Sequence, residues 1–455
     1  MSFPDCRKET WDRIFADTSL ANKNPTTLQK ASLFYLVFVM FSYTTGGPFG
    51  LEDMVTTSGP GMALVYILVL PFFWSIPVSL VSAELTTAMP VEGGFYRWTR
   101  SAFGDFWGFL AGWWNWSASF LLGGMYAVLF ADYLKYYLPN MAWWEHYLIS
   151  VGLIGALTWV NIRGIQMVGR VATGLEIFIF MPVITMVFLG LTHWHYNPFT
   201  PWVVPHQPTF KVFGVGLALG LWLCSGYEQL STLAEEVENP QRSYPRALAC
   251  VVPMSITAYF LPAIAGLASA GHWSEWHTGF FANAAGIIGG PWLGAWMTLA
   301  AAVCNVALLN STILTTTRMP FAMAEDGYLP KALTRRHTSF GTPWLAIVVS
   351  SGIYSLLAWQ SLIELISIYV WLRSATTVLT VLSAWKLRRI RPELTRSFTV
   401  PGGRGGLFYA VGAPLVMAMV ALLASDRFGL IGGAIAIVLG PMVYLLVGSR
   451  LKNLS

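Results

Sequence analysis

Charge is scarce in this chain of 455 residues. Asp, Glu, Lys and Arg together make up 11% of it, less than half of the roughly one-quarter typical of a soluble domain. A soluble globular protein is therefore excluded, and with 55% of residues hydrophobic the chain reads as a polytopic membrane protein. Cysteine is sparse as well. Cys6, Cys224, Cys250 and Cys304 are scattered and show no CxxC or other ligand spacing, which excludes a disulfide framework and a zinc site. The chain also lacks an HExxH sequence, a paired-Asp motif and a nucleophile–His set, so neither an enzyme nor a bound cofactor is expected. The opening stretch SFPDCRKETWDRIFAD mixes acids and bases without an apolar core. It is not a secretory signal peptide, and it reads as a cytoplasmic lead-in. The net charge of +5 has a topological origin and gives no indication of a nucleic-acid partner.

What is abundant is apolar sequence in runs long enough to cross a bilayer. Spans are predicted near 31–57, 62–88, 105–137, 146–162, 171–192, 211–236, 247–270, 291–318, 343–359, 361–386, 407–425 and 428–448. This is an all-α fold of 12 transmembrane helices. Lys and Arg concentrate on one side of it: Arg97 and Arg100, Arg163 and Arg170, Arg242 and Arg246, Arg318, Arg335 and Arg336, and Lys386 to Arg404. That asymmetry places both termini in the cytoplasm, in the cytoplasmic membrane.

Two spans are interrupted. In the first, YTTGGPFGLED at 43–53 sets Gly46, Gly47, Pro48, Glu52 and Asp53 inside an apolar stretch. A break there frees backbone groups that lipid cannot satisfy, at several kcal/mol each, so protein, water or a ligand must meet them. In the sixth, LCSGYEQLSTLAEE places Gly226 and Glu228 in a run that starts at Val212. Paired broken spans at equivalent places in two halves point to an inverted-repeat secondary transporter with its site at the midplane. The organisation predicted is a cytoplasmic segment 1–30, a first repeat of helices 1–5 at 31–192, an outer loop 193–210 and a second repeat of helices 6–10 at 211–387. A cytoplasmic loop 388–406, two further helices at 407–448 and a tail 449–455 complete it. Helices 1 and 6 are the discontinuous ones. Among the loops, Pro240 and Pro245 are expected to force turns. The outer loop His272–Trp292 is expected either to fold down as a lid or to lie at the membrane interface.

Several stretches carry a family resemblance: GGPFGLED at 46–53, WSIPVSLVSAELTTAMPVEGGFYRW at 74–98, FWGFLAGWWNW at 106–116, YAVLFADYLK at 126–135, STLAEEVENPQRSYPRAL at 231–248 and MAEDGYLP at 323–330. In these the chain resembles the amino acid–polyamine–organocation transporter superfamily, and within it the polyamine and amino-acid uptake branch. The resemblance implies a leucine-transporter-type 5+5 fold, alternating access, and substrate-facing backbone at Gly46, Gly47 and Phe49 and at Ser225, Gly226 and Tyr227. Three departures stand out. Leu121-Leu122-Gly123-Gly124 occupies the place where plant polyamine carriers have an acid. The fifth span offers Glu176 where a proton-coupled bacterial relative has a lysine. Pro48 removes one N–H from the first break.

Around this frame the candidate substrate site comprises Tyr43, Glu52, Trp113, Asn115, Trp222, Tyr227 and Glu228 beside the backbone positions just named. Glu52 reads either as a counter-charge for a substrate amine or as a cap on the resumed helix, and Asp53 as a cap or gate partner. Glu228 reads as support for the unwound segment, an amine contact or a proton carrier. Trp113, Asn115, Trp116 and Trp222 are candidates for apolar walls with a few polar points. Ser311 and Thr312, with Asn310, gather oxygens where sodium-coupled relatives hold their ion, against the alternative that the hydroxyls bond back to the preceding turn. The coupling ion is thus H+ or Na+. Glu84 and Glu176 are expected near cytoplasmic ends in solvated or loop-pinning roles, and Arg373 is expected to pair with a carboxylate. The activity predicted is secondary active transport of an amino acid or related amine, with a polyamine carrier as the alternative.

Overall fold

The computed structural model describes residues 33–89, 93–164, 169–206, 209–227 and 239–451. Every regular element within them is a helix. Glu228 and the expected cytoplasmic lead-in lie outside these ranges.

The first apolar run forms α1 (Leu33–Thr44) and α2 (Glu52–Ser58) with an unwound stretch between them. The reason is local. Gly46 and Gly47 take φ of +52° and +134°, conformations that favour glycine, and Pro48 has no N–H to extend a helical ladder. The chain then passes Gly59 into α3 (Pro60–Phe73), whose first residue is a proline, the helical position where a missing N–H costs nothing. α4 (Ser75–Ala88) continues α3 across a kink at Trp74, φ −125° and ψ −66°. Pro77, three residues on, lacks the N–H that would bond to the carbonyl of residue 73.

α5 (Gly94–Phe103) precedes the long α6 (Asp105–Leu134), followed by α7 (Trp143–Ile162) and α8 (Gly169–Thr192). The sixth run gives α9 (Thr209–Leu223), which stops before the non-helical Cys224–Tyr227. α10 (Pro240–Ala270) starts on its proline and carries Pro245 inside it, so Pro245 makes no turn. Tyr244, Ala247, Leu248 and Val251 are buried against Leu36, Met40 and Phe41 of α1, and that packing carries the helix through the proline. There follow α11 (Phe280–Gly289), α12 (Pro291–Thr316), α13 (Arg318–Glu325), α14 (Trp344–Leu357), α15 (Leu362–Ile390), α16 (Gly403–Leu423) and α17 (Arg427–Leu451).

Among the described residues, eight helical segments are long and apolar enough to cross a membrane, and Phe213–Leu223, Phe280–Gly289 and Trp344–Leu357 are shorter apolar helices. The most apolar windows of α6 and α15 are 72% buried, whereas those of α16 and α17 are 28% and 17% buried. α6 and α15 therefore run through the middle of the bundle, and α16 and α17 turn bare Leu, Ile and Val faces outward. The loop from His272 folds down against the bundle. Trp276, Phe280, Phe281 and Ala284 are buried, while Trp292 at its end stays exposed.

At one end of the bundle, Glu84 of α4 ties down the connection between α15 and α16. Arg388 reaches it with Nε at 2.6 Å and again through Nη2, Arg396 approaches to 3.6 Å, and the Val400 N–H donates at 2.8 Å. The loop-pinning role expected of Glu84 is the one it plays. Asp326, just after α13, forms a second tie, accepting from Arg100 Nη1 at 3.1 Å and from Tyr96.

Candidate functional site

The unwound stretch after α1 is held by four side chains. Tyr259 of α10 donates its hydroxyl to the carbonyls of Thr44 and Thr45 at 3.2 and 3.3 Å. Thr45 shares a 2.5 Å hydrogen bond with Ser255 on the same helix. From α12, the Cys304 thiol donates to the Gly46 carbonyl at 2.6 Å. Glu52 closes the turn from within, accepting the Gly50 N–H at 2.7 Å. These partners answer the accounting that a broken membrane helix demands.

The second unwound stretch lies against the first. Trp74 Nε1 donates to Ser225 Oγ at 3.1 Å, and Ser75 Oγ to the Cys224 carbonyl at 2.9 Å. The indole of Trp222, in the last turn of α9, packs so close to Gly50 that a Cβ there would stand 2.8 Å from it. Gly50 also has φ +91°, so no other residue fits this crossing of the two breaks without strain.

Between them is a narrow cavity of about 40 Å³. Thr44, Thr45, Gly47 and Phe49 wall it from the first break, and Trp222, Ser225 and Gly226 from the second. α6 adds Leu122, Tyr126 and Leu129, α10 adds Tyr259, α12 adds Cys304, Asn305 and Leu308, and α15 adds Tyr369. The apolar run at 121–124 thus sends Leu122 to the wall. A water needs about 10–15 Å³ of such space, so the cavity admits a few waters and no amine with a carbon backbone.

Of the candidate residues, Gly47, Phe49, Trp222, Ser225 and Gly226 meet at this wall. Tyr43 sits in the last turn of α1, Gly46 lies between two wall residues, and Tyr227 lines a smaller adjoining cavity with Cys224, Ser255 and Tyr259. Glu52 does not face the cavity. It is fully buried, and its carboxylate is turned to Gly50, to the Tyr133 hydroxyl and to the Gly279 N–H at 3.2 Å. These bonds fasten the break and the outer loop together. Asp53 does the same, accepting from the Thr278 hydroxyl and from the Thr278 N–H at 3.1 Å.

Trp113 and Asn115 also lie elsewhere. Asn115 precedes Leu122 by seven residues, about 10 Å along α6 at 1.5 Å per residue, and lines a separate cavity at the start of that helix. Its Oδ1 accepts from Arg373 Nη1 at 3.1 Å, one of the contacts that hold that guanidinium in the bundle. Trp113 stacks on Phe109 with centroids 6.1 Å apart. Asn310 Oδ1 accepts from Asn161 of α7 at 2.8 Å, and Thr312 bonds back to the Leu308 carbonyl at 2.8 Å. Back-bonding is the ordinary fate of a helical threonine.

Two polar groups carry more than the sequence reading granted them. Asn305 is fully buried and reaches the cavity wall. Its Nδ2 bonds to the Ala301 carbonyl at 2.9 Å, and its Oδ1 has no hydrogen-bond partner among the described residues. The signal was a lone amide in the apolar run AAAVCNVALL at 300–309, overshadowed by the cluster that follows it. Glu176 of α8 is 8% exposed, and Oε1 has no partner among the described residues. That excludes the solvated role. Ile179, one turn further along, lies 3.6 Å from where a Cβ on Gly47 would be.

Residues 32–449 match the profile of the amino acid permease family. A probable polyamine transporter of Arabidopsis thaliana is 34% identical over 431 residues, covering 93% of this chain and 88% of the relative. The polyamine transporter RMV1 of the same plant is 32% identical, covering 91% of this chain and 84% of the relative. The polyamine transporter PUT1 of Oryza sativa subsp. japonica is 33% identical, covering 91% and 77%. With the break after α1 and the non-helical end of α9 meeting at one cavity and this likeness along nearly its whole length, the chain belongs to the amino acid permease family of the amino acid–polyamine–organocation superfamily.

Proposed function

We propose that the protein is a secondary active transporter that carries an amino acid or related amine across the cytoplasmic membrane by alternating access, coupled to H+ or Na+. In this reading the fold is the 5+5 inverted repeat with two added helices, 12 spans in all, and both termini face the cytoplasm, an orientation supported by the excess of Lys and Arg on that side. The observation that carries the reading is the narrow cavity between the break after α1 and the non-helical end of α9, into which Asn305 brings an acceptor with no partner among the described residues. Main-chain carbonyls at helix breaks and an amide oxygen are acceptors, and an ammonium group is all donor. Apolar walls from Phe49, Leu122, Leu129 and Trp222 suit the carbon chain that joins such a group to the rest of a solute.

A second reading, a polyamine carrier, is favoured by the names of the relatives. The two differ in how many ammonium groups the site must satisfy. Competition of labelled spermidine against arginine and leucine, with the purified protein in proteoliposomes under imposed proton or sodium gradients, separates them. Leucine displacing spermidine supports the broader amine site, and spermidine uptake unaffected by either amino acid supports the polyamine carrier. Absence of uptake for all three under both gradients overturns the proposal.

A further inference from the structure

Leu122, Tyr126 and Leu129 of α6 line the cavity between the breaks. Spaced four and three residues apart, they share one face of the helix, and Tyr133 continues that face one turn further. Tyr133 is fully buried. Its ring meets the wall residue Phe49 edge to face, with centroids 5.2 Å apart and planes at 80°. Phe49 in turn lies over Gly47, where a Cβ would stand 2.6 Å from its ring. The two rings therefore stand between the cavity and the end of α6. The outer loop reaches that same end, since a Cβ on Gly279 would be 3.4 Å from the Asp132 carbonyl oxygen.

The hydroxyl of the same tyrosine has a different partner. It donates to Glu52, whose carboxylate also accepts the Gly50 N–H from the break and the Gly279 N–H from the outer loop. One side chain thus touches both the group that grips the loop and the ring that covers the cavity. For packing alone a phenylalanine would serve at this position. A fully buried hydroxyl adds a polar group that has to be answered, and the answer here is the carboxylate that holds the loop. We propose that Tyr133 is a positioning residue of the transport cycle: it keeps Phe49 over the cavity for as long as Glu52 holds the outer loop, so the cavity opens on that side only once the loop is released. The inference rests on the alternating-access reading and adds to it the part that couples the loop to the site. Tyr133 acts through Phe49 and makes no contact with the solute itself.

The test uses the full-length protein in oriented proteoliposomes, with Cys6, Cys224 and Cys250 replaced by serine so that the cavity residue Cys304 is the remaining cysteine. A membrane-impermeant maleimide is added to one side at a time. Tyr133→Phe keeps the ring against Phe49 and removes only the hydroxyl. Alkylation from the side of the outer loop is expected to rise about tenfold, as for the loss of one hydrogen bond to a charged group, while alkylation from the opposite side is unchanged. In Phe49→Leu, where the coupled ring is gone, adding Tyr133→Phe is expected to raise the rate by less than about twofold, because both substitutions break the same link. A tyrosine that only stabilises the bundle would lower the melting temperature and speed alkylation from both sides alike. That result overturns the proposal, as does an outer-side rate unchanged in Tyr133→Phe, or full additivity with Phe49→Leu. Tyr133→Phe alone decides if Phe49→Leu folds poorly. Uptake of a labelled amine by the unaltered protein is followed in the same vesicles. Its absence overturns the transport reading and this inference with it, whereas normal uptake beside any of those alkylation results overturns the role of Tyr133 alone.

Discussion

Asn305 is the residue whose chemistry is most exposed by its surroundings. Burying an amide oxygen with no partner costs about 1–3 kcal/mol, and a helix facing other apolar helices has no packing reason to accept that. Asn305→Leu is expected to leave the melting temperature unchanged or higher and to weaken amine binding by about 10- to 150-fold, the loss of a hydrogen bond to a charged group of about 1.5–3 kcal/mol. Ligand-linked thermal shifts measure both together. Glu52 makes the opposite prediction. Its carboxylate answers three donors from three segments, and a glutamine must turn an NH2 toward one of them. Glu52→Gln is expected to cost about 1–3 kcal/mol, to lower the melting temperature, and to suppress uptake of cationic and neutral solutes alike. Loss restricted to cationic solutes would restore Glu52 as a counter-charge. Glu176 resembles Asn305: a carboxyl buried inside a membrane helix with an unanswered oxygen is expensive, and such residues are kept for function. Glu176→Gln is expected to melt no lower than the unaltered protein while its gradient-driven uptake falls.

At the scale of elements, the break in α1–α2 was legible because Gly46, Gly47 and Pro48 each oppose a helix for a stated backbone reason, and Gly226 marked the end of α9 in the same way. Depth was not legible. Asn115 and Trp113 sit on the right helix, but α6 is 30 residues long, and which of its turns meets the breaks depends on how it crosses its neighbours. Pro245 misled for a related reason, since packing against α1 overrides a local breaker. The partners of Asp53 lay 225 residues away, beyond any local signal. That pair makes its own prediction. Thr278 is the part of the outer loop that Asp53 grips, so Thr278→Val removes the side-chain bond and leaves the loop held by the Thr278 and Gly279 N–H groups and by its buried aromatics. Amide exchange across 273–289 is expected to quicken by about fivefold, for about 1 kcal/mol of lost hydrogen bonding, while exchange in α6 and α15 is unchanged.

For the whole molecule, the volumes impose a cycle. On the proposed function, a cavity of about 40 Å³ is too small for the solute, so the state described here exchanges with others in which the walls of the cavity stand apart. One end is fastened by Glu52 and Asp53 to the outer loop, and the other by the ties at Glu84 and Asp326. Opening toward either face has to release one set while the other holds, which is what alternating access requires of a rigid bundle. Cys304 reports on this directly. Its thiol is 2% exposed, lines the cavity and donates to the Gly46 carbonyl, so a water-borne reagent reaches it only when the breaks part. With Cys6, Cys224 and Cys250 replaced by serine, alkylation of Cys304 by a membrane-impermeant thiol reagent is expected to be slow, to follow the rate of opening rather than the reagent concentration, and to be slowed further by a bound amine. Thr278→Val, which loosens one set of ties, is expected to accelerate alkylation from the side of the outer loop alone. Equal acceleration from both sides would mean that the two ends are not coupled through the cavity, and the alternating cycle would have to be abandoned.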